Sequence, residues 1–316
     1  ETSCVLVTDS RYISEAGEEA KDFETRTLEQ GIIDGFPDLM SNIGTEALGF
    51  DEDYLTWGLH RQLTEKLAKL SPPVRLLPLN GVVEEMRMVK DPQEIRALET
   101  SAGLISVILD EVEAKLKPGL TEKEVAWQIQ GLARELGAED LAFPPIVASG
   151  PNSALPHAAA TERKIDLNEP VILDLGVKVD GYCSDMTRTF FLSGPGPYFR
   201  EVYRTVRQAQ LAALDEIRPG VNSNHPDAIA RQVISDAGFG EYFGHSVGHG
   251  VGLATHERPR LGPSKPTRLE KGMVVTVEPG IYIPGKGGVR LEQMAVIEED
   301  GPRVLSTNRH LYDFFL

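Results

Sequence analysis

The sequence predicts a chain of mixed helix and sheet in two parts: a small α/β domain over residues 1–84, and a larger α+β domain over residues 85–316 with a pseudo-two-fold internal repeat. Three observations lead there. Strand-like and helix-like stretches alternate through about the first eighty residues, which implies an α/β unit. A helix, turn, helix, strand order occurs twice in the remainder, about one hundred residues apart. The strands of each half are apolar runs interrupted by acids, and one pair is joined by a strong hairpin turn.

In chain order, CVLVTDS (4–10) reads as a strand and RYISEAGEEAKDF as a helix. FETRTL is a second strand and EALGFD a third. A helical stretch runs from about Asp53 to Leu70, Pro72 and Pro73 end it, and VRLLPLN is the fourth strand. The chain opens on a strand, at Glu1 rather than Met, so the domain is expected to be incomplete at its start. GVVEEMRMVKD (81–91) reads as the linker.

Asp91-Pro92 then starts a helix, with an N-cap, Pro in the first turn and Glu94 three residues after the cap. It stops at Lys117-Pro118-Gly119-Leu120. Thr121 with Glu124 forms a second capping box, for a helix ending near Gly137. The order returns with a helix from near Tyr198 that stops at Arg218-Pro219-Gly220-Val221. Another follows from about Pro226 to Gly238 or Gly240. Such stops are common by themselves; with the hairpins they indicate two similar halves around a shared central sheet.

Bulk properties narrow the function. A chain of 316 residues, 41% hydrophobic, can bury a sizeable core. A net charge of −16 argues against a nucleic-acid backbone or an anionic membrane as partner. No apolar run reaches bilayer length, and no signal-peptide pattern is present. Cys4 and Cys183 are too few for a disulfide framework, so a reduced, cytoplasmic setting is expected.

The chemistry sits in the later strands. In VILDLGVKVDGYCSDMTRTFFL (171–192), Asp180-Gly181 is a favoured type I′ turn pair. That turn pairs Val179 with Tyr182 and sets Asp174 opposite Thr187. Asp185, two residues before Thr187, then shares the face of Asp174 as a diagonal neighbour. One solvent-facing acid and one turn acid is the bland alternative. The second half repeats the device: MVVTVEPGIYI (273–283) carries Glu278, and the returning strand GVRLEQMAVI (288–297) carries Arg290 and Glu292 on one face. A like-charge pair at 4 Å costs about 4 kcal/mol at an effective dielectric of 20. Divalent cations remove that penalty for four acids; protonation relieves two more readily than four.

An imidazole comes from GHSVGHGVGLATHERP (244–259), which holds His245, His249 and His256. The first two have zincin spacing, but the glutamate after His245 is missing and Gly248, Gly250 and Gly252 disfavour a helix. A glycine-rich strand or loop that approaches the site closely is expected instead. His157 lies in the irregular VASGPNSALPHA. His60, His225 and His310 have no matching acids and read as structural.

Together PNSALPHA, ILDLGVKVDGYCSDMTRT, GHSVGHGVGLATHE, MVVTVEPGIY and GVRLEQ resemble the proline-specific pita-bread metallopeptidases, the Xaa-Pro dipeptidases (prolidases) and aminopeptidase P. The resemblance runs from about residue 85 to the C-terminus. The first eighty residues or so, with LVTDSRY, resemble the end of that family's N-terminal domain. It implies a C-terminal pita-bread (creatinase/aminopeptidase) domain and two divalent metal ions, with Mn2+ expected and Co2+ or Zn2+ compatible with the donors. Carried over residue by residue, the metal ligands are Asp174, Asp185, His249, Glu278 and Glu292, with Asp185 and Glu292 bridging. His157, His245 and His256 match the substrate-handling and proton-shuttling histidines, and Arg290 matches the arginine beside the last ligand, which places it with them as a substrate-binding residue. Gln293 departs from the Asp found in many members; it should point to the opposite face.

In that reading Glu278 takes the proton of the attacking water, and His157 and His256 stabilise the oxyanion or the leaving nitrogen. The substrates are proline-containing dipeptides or short peptides. The resemblance also suggests a homodimer. Dipeptides are expected over longer peptides because the N-terminal domain looks short, and Arg258 or Arg260 offers a cation for the proline carboxylate. Methionine aminopeptidase shares the ligands but lacks the extra domain and the SALPHA and VRLE contexts. Creatinase-like C–N hydrolysis uses the same fold without needing the intact metal set. A non-catalytic peptide-binding module of this fold would be expected to lack ligands, whereas all five are present.

Overall fold

In the computed structural model, which describes residues 4–28, 30–306 and 311–312, the chain divides between Val83 and Glu84 into two units. The first unit contains two parallel strand pairs, Val5–Thr8 with Glu24–Thr27 and Ala47–Asp51 with Arg75–Leu79. Parallel neighbours need a crossover, and the helices Ile13–Glu19 and Trp57–Leu67 provide it. Both are shorter than the sequence suggested. The second starts only after Thr56, whose hydroxyl accepts from the Leu59 backbone N–H at 3.4 Å.

Two helices were not expected. Ile32–Ile43 contains Gly35 and Pro37, both poor helix residues. Its Ile33, Phe36, Leu39 and Met40 nevertheless pack on a core formed with Leu63, Leu67 and Val74, so burial outweighs propensity. The other, Val82–Met88, occupies the expected linker.

The second unit shows the repeat in its backbone. Helices Pro92–Lys115 and Glu122–Glu135 open the first half, Pro197–Asp215 and Asn224–Asp236 the second. Both expected capping boxes are formed, at Asp91 with Glu94 and at Thr121 with Glu124. After each Pro-Gly stop the chain makes the same pair of bonds. Gly119 N–H donates to Ile165 O at 2.9 Å and Gly220 N–H to Leu269 O at 2.8 Å. Ile165 N–H returns to Leu120 O, and Leu269 N–H to Val221 O, each at 2.8 Å. Gly119 and Gly220 have φ of 91° and 87°, which only glycine adopts readily.

The shared sheet is realised as separate ladders. Met186–Phe190, Val171–Leu175 and Ile146–Ser149 form a three-stranded antiparallel sheet. Five strands, ordered Glu257–Leu261, Gly248–Gly250, Val274–Val277, Gln293–Glu298 and Gly301–Val304, form the other large one. The seam is made by Glu292 N–H, just before the Gln293–Glu298 strand, to Thr187 O at 3.1 Å, and by Thr189 Oγ1 to Arg290 O at 2.9 Å on the adjoining ladder of Gly280–Ile283 with Gly287–Arg290. Behind each sheet lies an apolar core, with Ile105, Ile129 and Leu173 in one and Tyr203, Val206 and Val275 in the other. Among the described residues no helix is long and apolar enough to cross a membrane.

Candidate metal centre

The hairpin of the first half has the expected register: Val179 pairs with Tyr182, and Asp174 with Thr187. Asp180 and Gly181 both have positive φ, 49° and 79°, as a type I′ turn requires. The ladder is interrupted at Gly176, where a Cβ would lie 2.2 Å from Ser184 O. That close crossing bends the strands just before Asp185.

In the second half the two expected continuous strands each break at an acid. Val274–Val277 stops before Glu278-Pro279 and resumes as Gly280–Ile283; Gly287–Arg290 stops before Leu291-Glu292 and resumes as Gln293–Glu298. Pro279 has no N–H for a ladder, which accounts for the first break. Glu278 and Glu292 therefore sit at bends rather than within regular pleats. Gln293 is buried and does not line the cavity described below.

His249 lies in the strand Gly248–Gly250, not in a helix. A Cβ at Gly248 would meet Thr276 O at 2.0 Å, and one at Gly250 would meet Arg258 O at 2.2 Å. The flanking glycines thus let neighbouring backbones close on the histidine.

All nine residues singled out above line one cavity of about 1020 Å³: His157, Asp174, Asp185, His245, His249, His256, Glu278, Arg290 and Glu292. Donor atoms of Asp185, His249 and Glu292 lie within 4.8 Å of one another. His249 Nε2 is 3.2 Å from Glu278 Oε1 and 3.7 Å from Asp185 Oδ2. Its Nδ1 faces Gly250 O at 3.0 Å and so carries the donating proton, which leaves Nε2 available to a cation. Asp174 Oδ2 accepts from Arg290 Nη2 at 2.7 Å.

Burial raises Asp174, Asp185 and Glu292 above the ordinary carboxylate range. Arg290 opposes the shift at Asp174, neighbouring acids push Asp185 well up, and Glu292 reaches about 8. Burial also acts to raise Glu278, but the hydrogen bond and charge of His249 outweigh it and hold the group at about 2. For His249 burial works downward, and Glu278 overcomes it to bring the imidazole to about 9. Among the described residues Asp174 Oδ1 and Glu292 Oε1 are buried without a hydrogen-bond partner. A buried carboxylate oxygen with nothing to bind costs on the order of 1–3 kcal/mol or more. Cations placed among these five side chains would satisfy both oxygens, so the residues fit divalent metal ions.

His245 is fixed by a relay. Its Nδ1 donates to Ser246 O at 2.8 Å; Tyr282 Oη then donates to Nε2 at 2.9 Å and accepts from Arg290 Nη1 at 2.8 Å. Burial lowers the His245 pKa, consistent with a neutral ring in that relay. His256 is also lowered, by burial and by His249, whose ring centre is 4.0 Å away. Arg290 was expected to meet substrate. Its guanidinium is instead bonded to Asp174, Tyr282, Thr187 Oγ1 at 3.1 Å and Pro156 O at 3.1 Å, leaving little for a ligand.

His60 packs against the Phe50 and Trp57 rings within the first unit, and His225 meets Glu216 at 3.0 Å. His310 is outside the described residues. Sequence reasoning missed Tyr282, Thr187 and Glu257. Thr187 Oγ1 donates to Glu292 Oε2 at 2.8 Å; Glu257, next to His256, is held by Arg87 and by Lys90 at 3.3 Å. Tyr282 had one signal in the sequence, the glycine at 280, whose Cβ would lie 2.4 Å from the tyrosine oxygen.

This fold and cavity define a pita-bread hydrolase scaffold whose carboxylates and imidazole form a candidate metal site. Residues 96–299 match Metallopeptidase family M24, and residues 1–89 match the Creatinase/Prolidase N-terminal domain. The chain belongs to metallopeptidase family M24. It is 38% identical over 269 residues to the Xaa-Pro dipeptidase of Pyrococcus horikoshii, covering 85% of this chain and 75% of that one. Among solved structures it resembles the Xaa-Pro dipeptidase from Bacillus anthracis, with TM-score 0.91, 38% identity and coverage of 96% and 84% of the two chains. It also resembles the X-Pro aminopeptidase from Thermotoga maritima, with TM-score 0.89, 34% identity and coverage of 98% and 87%.

Proposed function

We propose that this chain is an Xaa-Pro dipeptidase that hydrolyses the bond before proline with two divalent metal ions, Mn2+ foremost. The observation that carries the reading is the set of five donors with two unpartnered carboxylate oxygens in one cavity, in a chain related to Xaa-Pro dipeptidases. Asp174, Asp185, His249, Glu278 and Glu292 would hold the ions, with Asp185 and Glu292 serving both. When bound, the ions supply Lewis-acid polarisation of the scissile carbonyl and acidify a water.

The chain's own groups do the rest. Glu278 takes the water proton on a carboxylate oxygen. His157 and His256, both exposed in the cavity, donate to the developing oxyanion or to the departing proline nitrogen. His245 and Arg290 act with Tyr282 to hold that wall of the site. Arg260, on the cavity wall beside Ser246, offers a cation to the carboxylate of a dipeptide. An Xaa-Pro bond has no N–H, so recognition through the pyrrolidine ring and the two chain ends suits this substrate.

The reading extends to a homodimer in a reducing cytoplasm. Tyr54 and Trp57 expose large apolar surfaces on the first unit, and Cys4 and Cys183 are free thiols. A second reading, aminopeptidase P acting on longer peptides, is favoured by a cavity larger than a dipeptide fills and by the likeness to an X-Pro aminopeptidase. Comparing kcat/KM for Ala-Pro, Ala-Pro amide and Ala-Pro-Ala under Mn2+, Co2+ and Zn2+ separates the two. The dipeptidase reading expects Ala-Pro to lead and amidation to hurt; a clear preference for the tripeptide assigns aminopeptidase P.

A further inference from the structure

His157 stands on a stretch of chain that cannot hold itself in place. Residues 155–160 form no helix or strand, and the His157 ring makes no hydrogen bond among the described residues. The position of the ring is therefore set by the backbone beneath it. Both ends of that backbone converge on one side chain. Glu122, the first residue of the helix Glu122–Glu135, is fully buried. Its Oε1 accepts from Ser149 N–H at 2.7 Å, Ser149 Oγ at 2.8 Å and the Asn152 amide at 3.1 Å. Its Oε2 accepts from Thr161 N–H at 3.0 Å, Thr161 Oγ1 at 2.6 Å and the same Asn152 amide at 3.1 Å. Ser149 and Asn152 precede His157, and Thr161 follows it.

Two further contacts stiffen the arc. Arg163 Nη1 donates to Ser149 Oγ at 2.6 Å, which orients that hydroxyl toward Glu122. Arg290 Nη1 holds Pro156 O, immediately before His157. The second half has a counterpart at the start of its own second helix. Asp227, also buried, accepts from Val247 N–H at 2.9 Å and pairs with Arg231, which donates to His245 O at 2.9 Å. In both halves a buried acid at the start of the second helix tethers the histidine segment that follows.

We infer that Glu122 is a positioning residue for His157, acting by clamping the two ends of its segment to one carboxylate. The inference rests on the reading of His157 as a catalytic group. A glutamine at 122 has one acceptor oxygen, so its NH2 would face the backbone N–H of either Ser149 or Thr161, and that end of the arc loses its main-chain anchor. Release lets the imidazole wander, and a misplacement of about 1 Å can cost on the order of 100-fold in rate.

The test is a double-mutant cycle on the Mn2+-loaded full chain with the best-cleaved Xaa-Pro peptide. Glu122→Gln, His157→Ala and the double variant are compared for kcat, KM and metal per chain. Glu122→Gln should lose kcat by about 10- to 100-fold with KM and metal content little changed. The double variant should lose no more than His157→Ala alone, because the effect travels through a ring no longer present. Wild-type kcat in Glu122→Gln, or losses that multiply in the double variant, overturn the inference. Wild-type kcat in His157→Ala would instead remove the catalytic reading of His157, so the two failures are distinct. Should Glu122→Gln not fold, Thr161→Val removes the 2.6 Å donor to Oε2 and runs the same cycle with the same deciding outcomes.

Discussion

Gly248→Ala isolates what the glycine-flanked histidine strand depends on. The new Cβ would lie 2.0 Å from Thr276 O, which is 1.4 Å short of the 3.4 Å at which ordinary contact begins. The obstacle is backbone, so relief requires the strands Gly248–Gly250 and Val274–Val277 to part by about that much. Two bonds hold them at this point: Glu278 N–H to Val247 O at 2.7 Å and His249 N–H to Thr276 Oγ1 at 3.1 Å. Losing both costs about 1 kcal/mol each, and the overpacking itself adds about 1–3 kcal/mol. The sum, roughly 3–5 kcal/mol, corresponds to a fall in Tm of about 10 °C for a unit of this size. The same movement draws His249 Nε2 away from Glu278 Oε1, now 3.2 Å apart. Metal content should drop, and kcat should fall by on the order of 100-fold or more. Calorimetry, elemental analysis and steady-state kinetics on one preparation read all three. Gly244→Ala is the control: its Cβ would meet nothing within 4 Å, and its effect should stay within about 0.5 kcal/mol. Native metal content and turnover in Gly248→Ala, or equal damage from Gly244→Ala, would refute the reasoning.

Chelation should abolish peptidase activity and lower Tm, since ions that bind the folded chain and not the unfolded one stabilise it by about 2.7 kcal/mol at 100-fold over Kd; full activity in metal-free protein sinks the metal-dependent mechanism. Asp185→Ala and Glu292→Ala should lose both metals more readily than Asp174→Ala, and equal retention across the three contradicts the sharing of Asp185 and Glu292. His256→Ala should keep its metals yet lose turnover, while His249→Ala loses metal; elemental analysis that reverses this order exchanges their roles. Burial raises the Tyr203 pKa, so its folded form holds the proton more tightly than the unfolded chain, whose tyrosines titrate near pH ~10. That contribution is complete below pH ~10 and is lost as pH rises beyond it. Tyr203→Phe should therefore show a shallower fall in Tm from pH 9 to 11 than the parent, and parallel slopes would refute the assignment.

Local signals carried much of the site. Asp180-Gly181 dictates the hairpin register, and from it the shared face of Asp174 and Asp185 followed without knowledge of anything beyond twenty-odd residues. The glycines around His249 announced close backbone approach for the reason the structure gives, although not which carbonyls approach. What escaped depends on partners distant in the chain. The bend at Leu291-Glu292 arises where that strand meets Thr187, and the one at Glu278 comes with Pro279; periodicity alone made both strands straight. The acceptors that engage Arg290, Asp174, Pro156 and Tyr282, come from three other segments, so its bonding could not be read from its own strand. Nothing local marks Glu122, an acid in the first turn of a helix; only the return of the chain at Ser149, Asn152 and Thr161 gives it five donor atoms. The helix Ile32–Ile43 was hidden by Gly35 and Pro37, whose local penalty is outweighed by burial against Leu63 and Leu67.

The seam between the large sheets has a consequence for when the molecule becomes competent to hydrolyse. The proposed ligands Asp174 and Asp185 stand on one side of it, and His249, Glu278 and Glu292 on the other. Neither half owns enough donors to hold a pair of ions in a hydrolytic arrangement. Glu292 is also the last of the five to leave the ribosome, and its backbone must close on Thr187 before the ring of donors is complete. A nascent or half-folded chain therefore carries no working blade, and competence to cut arrives together with the finished domain.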